Sequence, residues 1–260
     1  MPPQLATSGD GARIAYDVTG SGPPVLLLHG GGQTRRAWHD AGYVSRLSSE
    51  LTVICVDLRG NGDSDKPDAV DRYAIDHLVD DILAVADAAG AQTFALWGFS
   101  YGANIGRYVA VRTGRVRSMV YIGIPFGSAT PGPFREMILG LRTKWTPVVA
   151  AHRDGTFDDR LLSDDDRRAW QRGAVPVTLA WLGAMLDYPI INPADMPCPT
   201  LWLVGSANAD AMASATAHKA GLDGTEVSLT ILDGLTHAQE LERVDVTLPH
   251  ALAFTRAHGH

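Results

Sequence analysis

The segment Leu96–Ala103 constrains the fold most, because an apolar run meets a serine between two glycines and then continues with helical periodicity. The residues Phe94–Trp97 predict a buried strand, and Ile105, Tyr108 and Val109 recur at the spacing of one helix face. Glycines are needed where the backbones of such a strand and helix approach closely, since side chains there would collide. The segment therefore predicts a strand, a sharp turn and a helix packed on the strand.

Ser100 lies at the centre of this turn, in the order Gly98-Phe99-Ser100-Tyr101-Gly102. The pattern Gly-x-Ser-x-Gly between a strand and a helix is typical of a nucleophile elbow, which exposes a serine hydroxyl at the strand end. The alternative is a glycine-rich turn that only packs the helix on the sheet. The flanking strand and helix favour the elbow, so we predict that Ser100 is a nucleophile.

A second glycine-rich loop, His29-Gly30-Gly31-Gly32, follows the continuous apolar run Val25–Leu28. Such a run predicts a central strand. Glycines after it would let a main-chain N–H approach a substrate oxygen, so Gly31 is a candidate oxyanion-hole donor, with Tyr101 as the second. A phosphate-binding loop or a simple tight turn is the alternative, but the Gly-x-x-x-x-Gly-Lys-[Ser/Thr] pattern is absent. We expect His29 to order this loop.

Strand-like and helix-like segments alternate along most of the chain, which indicates an α/β fold with a mostly parallel, eight-stranded sheet flanked by helices. The alternation stops between about residues 126 and 195, where short helical patterns are broken by prolines. We predict a core of residues 1–125 and 196–260 with an inserted helical cap of residues 126–195. Aromatic and methionine side chains of the cap are expected to line an apolar substrate pocket: Trp145, Trp181 and Met185.

The composition excludes several classes of function. The formal charge of −7 is spread along the 260 residues, so neither a nucleic-acid surface nor a membrane surface is indicated. Two cysteines beside apolar runs suit buried thiols, and no metal site or cofactor motif is present. With no signal or transmembrane pattern, we expect a cytoplasmic protein with a small-molecule substrate, and a homodimer is one option for its assembly.

His237 is the candidate general base. It ends the loop Asp233–His237, which follows the last predicted strand, and it comes 137 residues after Ser100. None of the other eight histidines combines such a loop with this chain order. Two charged residues of an earlier loop, Asp57 and Arg59, are instead expected to form a structural pair.

With these motifs in place, the chain resembles the α/β-hydrolase superfamily over nearly its full length, in particular its capped, serine-nucleophile, esterase-like or lactonase-like branch. The resemblance rests on four features, His29–Gly32, Asp57–Ser64, Gly98–Gly102 and His237. It implies the fold but not the substrate, because the superfamily includes esterases, lactonases, carbon–carbon bond hydrolases, lyases, cofactor-free haloperoxidases and hormone receptors. Members that open epoxides or remove halide use a carboxylate nucleophile, where this chain has Ser100.

The third member of the triad is where the chain departs from the family pattern. The family usually has Gly-x-x-Asp after the strand that follows the cap, whereas Gly205-Ser206-Ala207-Asn208 has an amide in the last position. Asp210 follows two residues later. Because a carboxylate both orients the imidazole and stabilises its charged form, we expect Asp210 to take this role, with Asn208 as the rival.

The resemblance and the motifs together predict a serine hydrolase that cleaves small to medium apolar carboxylic esters or lactones through an acyl-enzyme, without metal or cofactor. The cap offers aromatic residues and methionines but no evident partner for a charged substrate group. Three alternatives stay open: a carbon–carbon bond hydrolase or lyase, a cofactor-free haloperoxidase, and a ligand sensor with little turnover.

Overall fold

The computed structural model describes residues 3–258. Its central element is one eight-stranded sheet in the order β1-β2-β4-β3-β5-β6-β7-β8. The strands are β1 (Gln4–Thr7), β2 (Arg13–Thr19), β3 (Pro24–Leu28), β4 (Thr52–Val56), β5 (Phe94–Phe99), β6 (Val116–Ile122), β7 (Thr200–Gly205) and β8 (Val227–Leu232). β1 and β2 form the antiparallel end of the sheet, and β4, β3 and β5 to β8 run parallel. The predicted sheet is confirmed, although β1 had no predicted counterpart.

Helices connect most of the strands and lie on both faces of the sheet. They are α1 (Arg36–Asp40), α2 (Tyr43–Leu47), α3 (Ile75–Ala88), α4 (Tyr101–Arg112), α5 (Gly132–Arg153), α6 (Asp164–Gln171), α7 (Val175–Met185), α8 (Ala209–His218), α9 (Gln239–Glu242) and α10 (Val244–His258). The described chain also has short 3₁₀ helices at Val70–Tyr73, Asp159–Leu161, Pro193–Asp195 and Lys219–Gly221. Within residues 3–258, no helix combines the length and the apolar character that crossing a membrane requires.

The central strands are apolar on both sides because both sheet faces are covered. In β3, Leu26 and Leu28 belong to one buried cluster, whereas Val25 and Leu27 belong to the other. Alternate side chains of a strand point to opposite faces, so a continuous apolar run is what such a strand needs.

A helical insertion of α5, α6 and α7 separates β6 from β7. An isolated antiparallel bridge between Gly127 and Ile191 joins its two ends. α5 continues through Pro147, although prolines were expected to break the helices of this segment. A proline removes one hydrogen bond, and a long helix can continue past it with a bend. The insertion occupies the predicted position of the cap, and the division of the chain into two domains stays a prediction.

Candidate active site

Three loops meet at the carboxyl-terminal edge of the parallel strands. The loop His29–Gly32 follows β3, Ser100 follows β5, and His237 lies in the loop after β8. Ligand sites of open α/β sheets occur at this edge, because the loops that leave neighbouring strands converge there. The topology therefore joins residues that are far apart in sequence.

Ser100 occupies a strained turn between β5 and α4. Its φ of 53° and ψ of −117° make it the one non-glycine residue with positive φ in the described chain, 3–258. A Cβ on Gly98 would lie 2.4 Å from the Ala103 Cα, and one on Gly102 would lie 2.2 Å from the Leu28 carbonyl oxygen. The predicted elbow geometry is present, and such strain is characteristic of functional sites.

His237 lies within hydrogen-bond distance of the serine, with 3.0 Å between its Nε2 and the Ser100 Oγ. Its ring stacks on Phe99, the residue before the serine, with 4.9 Å between the ring centroids. The two side chains that the sequence predicted as nucleophile and base are thus in the geometry that proton transfer requires.

The carboxylate beside His237 is Glu240, so the expected contact between Asp210 and His237 is wrong. The Nδ1 of His237 lies 3.0 Å from the Glu240 Oε2. A carboxylate can only accept, so Nδ1 carries the proton and Nε2 is left to accept from the serine hydroxyl. This chain of contacts runs from Ser100 through His237 to Glu240.

Glu240 is completely buried and its oxygens have several donors. The Gly205 N–H donates to Oε1 over 2.6 Å, and the Asn208 amide nitrogen lies 3.0 Å from Oε1 and 3.1 Å from Oε2. A buried carboxylate is tolerated when such donors replace the water that it has lost. The surroundings of Glu240 therefore fix its position beside the imidazole.

Asn208 supports the carboxylate and cannot replace it. Its Nδ2 also donates to the Gly123 carbonyl over 2.9 Å, and its Oδ1 accepts from the Ala211 N–H as the cap of α8. In this orientation the amide presents a donor, and not an acceptor, towards His237. Asp210 lies in the first turn of α8, exposed, because the two extra residues after Asn208 carry it into that helix.

One sequence signal could have identified Glu240. His237 and Glu240 are three residues apart, and Glu240 is hydrogen-bonded through its backbone N–H to the Thr236 carbonyl over 3.1 Å. Residues at this spacing in a helical turn lie on the same face. The acid was expected after the strand that follows the cap, where the family usually has it, whereas Glu240 follows His237 after the last strand.

Gly31 and Tyr101 border the space in front of Ser100 as expected. Neither backbone N–H donates a hydrogen bond to another residue of the described chain. The Tyr101 ring packs against Trp181 from α7, with 4.7 Å between the ring centroids. Two free N–H groups of residues that line the same cavity as the serine suit an oxyanion hole.

A cavity of about 420 Å³ opens in front of this site. Trp181 and Met185 line it, in agreement with the sequence prediction. Trp145 does not, because it is buried within the insertion and stacks on Trp170 with 6.2 Å between ring centroids. The cavity has lining residues that the sequence argument missed: Asn104, Arg107, Ile124, Ser128 and Phe134.

His29 orders its loop as expected. Its Nδ1 donates to the Gly30 carbonyl over 2.8 Å, while its Nε2 accepts from the Leu58 N–H over 3.1 Å. This arrangement needs a neutral ring, and burial lowers the pKa of His29 to about 4.

Asp57 and Arg59 do not pair with each other, so this prediction is wrong. Asp57 is bound by Arg35, and the Arg59 guanidinium lies between Asp10 and Asp81 at 2.6 Å and 2.7 Å. Both residues are therefore structural, but each belongs to a different ion-pair cluster. These two charges are two residues apart on one loop and point in different directions. Their spacing in sequence alone does not reveal which residues they contact.

Comparison with known proteins agrees with this architecture. The family model for the alpha/beta hydrolase fold matches residues 23–172, which is more than half of the chain. The chain belongs to the α/β-hydrolase family. That region includes the loop after β3, the Ser100 turn and α5 and α6 of the helical insertion, but not His237 or Glu240.

Two proteins that are named epoxide hydrolases are similar to parts of the chain. Epoxide hydrolase 3 of Siraitia grosvenorii is 34% identical over 142 residues, which cover 54% of this chain and 43% of that protein. Epoxide hydrolase B of Mycobacterium tuberculosis is 26% identical over 198 residues, covering 67% of this chain and 54% of that relative. The matched stretch thus spans about half, or less, of these two relatives.

Solved structures agree over nearly the whole chain. The esterase RhEst1 from Rhodococcus sp. ECU1013 has a TM-score of 0.73 at 23% identity and covers 100% of both chains. Epoxide hydrolase A from Mycobacterium thermoresistibile has a TM-score of 0.76 at 19% identity and covers 99% of both. At these identities the likeness shows the fold alone.

Proposed function

We propose that this protein is a serine hydrolase that cleaves carboxylic esters or lactones through an acyl-enzyme. The observation that carries the proposal is the chain of two 3.0 Å contacts, from Ser100 Oγ to His237 Nε2 and from His237 Nδ1 to Glu240 Oε2. Nucleophile, base and orienting acid in this order are the arrangement that activates a serine hydroxyl.

In the proposed reaction, Ser100 Oγ attacks the carbonyl carbon while its proton passes to His237 Nε2. The Glu240 carboxylate stabilises the imidazolium that forms, and the N–H groups of Gly31 and Tyr101 bind the developing oxyanion. His237 then donates the proton to the leaving alkoxide, so that the alcohol departs and an acyl-enzyme remains. Water attacks the acyl carbon while its proton passes to the same imidazole. His237 then donates that proton to Ser100 Oγ as the acyl–oxygen bond breaks, which releases the acid and restores the serine hydroxyl.

The choice of ester over epoxide rests on the residue at the elbow. Two relatives are named epoxide hydrolases, and the resemblance implies that members with that activity use a carboxylate nucleophile. Here the elbow carries a hydroxyl that is hydrogen-bonded to a histidine. A serine activated in this way is suited to acyl transfer, and the named esterase with this fold supports the same choice.

The test is covalent labelling combined with turnover. A fluorophosphonate should add one adduct mass to the peptide that contains Ser100, and the protein should turn over p-nitrophenyl acetate or butyrate many times. Ser100→Ala should abolish both signals, and His237→Ala should lower turnover by orders of magnitude. Ser118→Ala, a buried serine in β6, is the matched control that keeps the labelling.

Labelling that survives in Ser100→Ala would contradict the nucleophile. Labelling of Ser100 without turnover of any ester would favour a ligand sensor or a non-hydrolytic reaction. The proposed substrate is a small molecule, with no nucleic acid as partner. The cytoplasmic location and the homodimer stay predictions of the sequence.

A further inference from the structure

A buried cation lies beneath the cavity without a carboxylate partner. Arg107 on α4 is completely buried, and no carboxylate of the described chain lies within 4.0 Å of its guanidinium. The guanidinium donates to the Asn104 Oδ1 over 2.6 Å and to the Gly127 carbonyl over 3.1 Å. A buried charge is costly unless an opposite charge compensates it, so Arg107 requires an explanation.

The remaining contacts of Arg107 are two phenols, and both are neutral. Tyr121 and Tyr108 lie 3.4 Å and 3.5 Å from guanidinium nitrogens. Burial raises the pKa of Tyr121 to about 12 and also raises the pKa of Tyr108. Neither phenol therefore supplies a negative charge near neutral pH. The other two buried arginines each have carboxylate partners: Arg35 is paired with Asp57, and Arg59 lies between Asp10 and Asp81.

The neighbouring amide presents a donor without an acceptor. Because Arg107 can only donate, it holds the oxygen of Asn104, and the amide nitrogen is left for another partner. Asn104 Nδ2 and Arg107 Nε are buried, and neither has a hydrogen-bond partner in the described chain. Both unpaired atoms are donors, and a carboxylate is a group that only accepts.

The position of these donors relates them to the reacting serine. Asn104 and Arg107 line the same cavity as Ser100, at four and seven residues further along the chain. Side chains at these spacings share one face of a helix, and the rise of 1.5 Å per residue places them roughly 6 Å and 10 Å from Ser100 along α4. A group on the acyl part of a substrate can therefore reach Asn104 while its carbonyl is at Ser100.

We propose that Asn104 and Arg107 form an anion subsite that selects esters whose acyl part carries a carboxylate. Asn104 donates to the anion through Nδ2, and Arg107 is a positioning residue that orients the amide and supplies positive charge behind it. The inference rests on the proposed function, since the subsite is defined relative to Ser100. It modifies the expectation that the substrates are small to medium apolar esters or lactones. Asp210, exposed at the cavity edge, does not contact the guanidinium.

The experiment compares substrates that differ only in this charge. Monoethyl succinate, glutarate and adipate are each paired with the ethyl ester in which the free carboxylate is a primary carboxamide. We expect kcat/KM of the wild-type protein to favour the carboxylate of the best-fitting length by about 10- to 100-fold, as for a charge-assisted hydrogen bond in a buried site. A ratio near one for all three lengths would overturn the subsite.

Asn104→Asp is the most informative variant. The new carboxylate can pair with Arg107 inside the protein, so we expect the melting temperature to hold or rise while the preference for carboxylate esters inverts. Arg107→Gln should remove the preference, and Arg107→Lys should restore part of it because it keeps the charge. If both Asn104→Asp and Arg107→Gln slow the two members of each substrate pair equally, the residues are merely structural and the proposal fails.

A binding measurement tests this subsite independently of the proposed reaction. Calorimetry on Ser100→Ala measures the affinity for monoethyl glutarate and for its carboxamide twin without any turnover. Preference for the carboxylate in this variant, with no ester turned over by the wild-type protein, would support the subsite and contradict the esterase. Turnover of p-nitrophenyl butyrate without any carboxylate preference in binding or kcat/KM would support the esterase and contradict the subsite.

Discussion

His237 is oriented by Glu240, a residue only three positions further along the chain, through a 3.0 Å contact between Nδ1 and Oε2. The strand end where the family usually has its acid carries Asn208, which donates to that same glutamate. The acid and its hydrogen-bond donor thus lie side by side, with the carboxylate on the loop of the histidine.

Glu240→Gln should lower kcat strongly, since an amide can orient the ring but cannot stabilise the imidazolium. The equivalent change in a serine protease costs roughly 10⁴ in kcat, and we expect at least about 10² here. Asp210→Asn is the matched control, because an exposed charge at the cavity edge is screened and should change kcat by less than about fivefold. The measurement is p-nitrophenyl butyrate kinetics with melting curves; the opposite ranking of the variants would return the role to Asp210.

Asn208→Asp should impair the protein although it restores the residue type usual in the family. It removes the amide donor from Glu240 and puts two carboxylates together, which we expect to cost about 1–3 kcal/mol of unfolding free energy. Combining it with Glu240→Gln exchanges acid and amide and should recover activity relative to Glu240→Gln alone. A double-mutant cycle on kcat and on urea unfolding measures this coupling; additive effects would show that the two positions act independently.

Gly123→Ala should inactivate the protein by displacing the imidazole and its acid. A Cβ at this position would lie 2.3 Å from the Glu240 Oε2 and 3.0 Å from the His237 Nδ1. A displacement of about 1 Å can cost on the order of 10² in rate. Gly114→Ala has the same left-handed backbone but nothing within 4 Å, so it should lose stability without the loss of kcat. Equal kcat in the two variants would contradict the geometry.

The buried His29 should make stability fall as the pH is lowered. Its pKa is about 4 in the folded protein and about 6.5 when unfolded, so the unfolded chain binds the proton first. Stability from this residue is complete above pH 6.5, is lost as the pH falls to about 4, and amounts to about 3 kcal/mol. Urea unfolding between pH 7.5 and 4 should show a flatter curve for His29→Gln than for the wild type. Parallel curves would mean that His29 is not buried in its neutral form.

The fold and the two central site residues could be predicted because their signals are local. A buried parallel strand needs a continuous apolar run, and Val25–Leu28 has one. The turn at Ser100 needs glycines on both sides, and Gly98 and Gly102 each lie two residues from the serine. His237 follows the last strand of the sheet, so its place was set by chain order once the strands were counted.

The contacts of the charged and aromatic side chains were decided by the tertiary structure alone. Asp210 and Glu240 are both close in sequence to the loops of the predicted site. Asp210 lies exposed in the first turn of α8, whereas Glu240 is buried and accepts hydrogen bonds from Gly205 and Asn208. Trp145 and Trp181 both belong to the insertion, but only Trp181, on α7, lines the cavity.

The surroundings of Arg107 were also decided by the tertiary structure. Its position in α4 was evident from the helical pattern, but its lack of a carboxylate depends on every neighbour that packs around it. The sequence by itself determined most of the strands and helices and the strained turn, because these depend on apolar periodicity and on glycine at fixed offsets. Only the tertiary structure decided which acid meets His237 and which cation is left unpaired, because desolvation and hydrogen bonding act between groups that the chain brings together from distant positions.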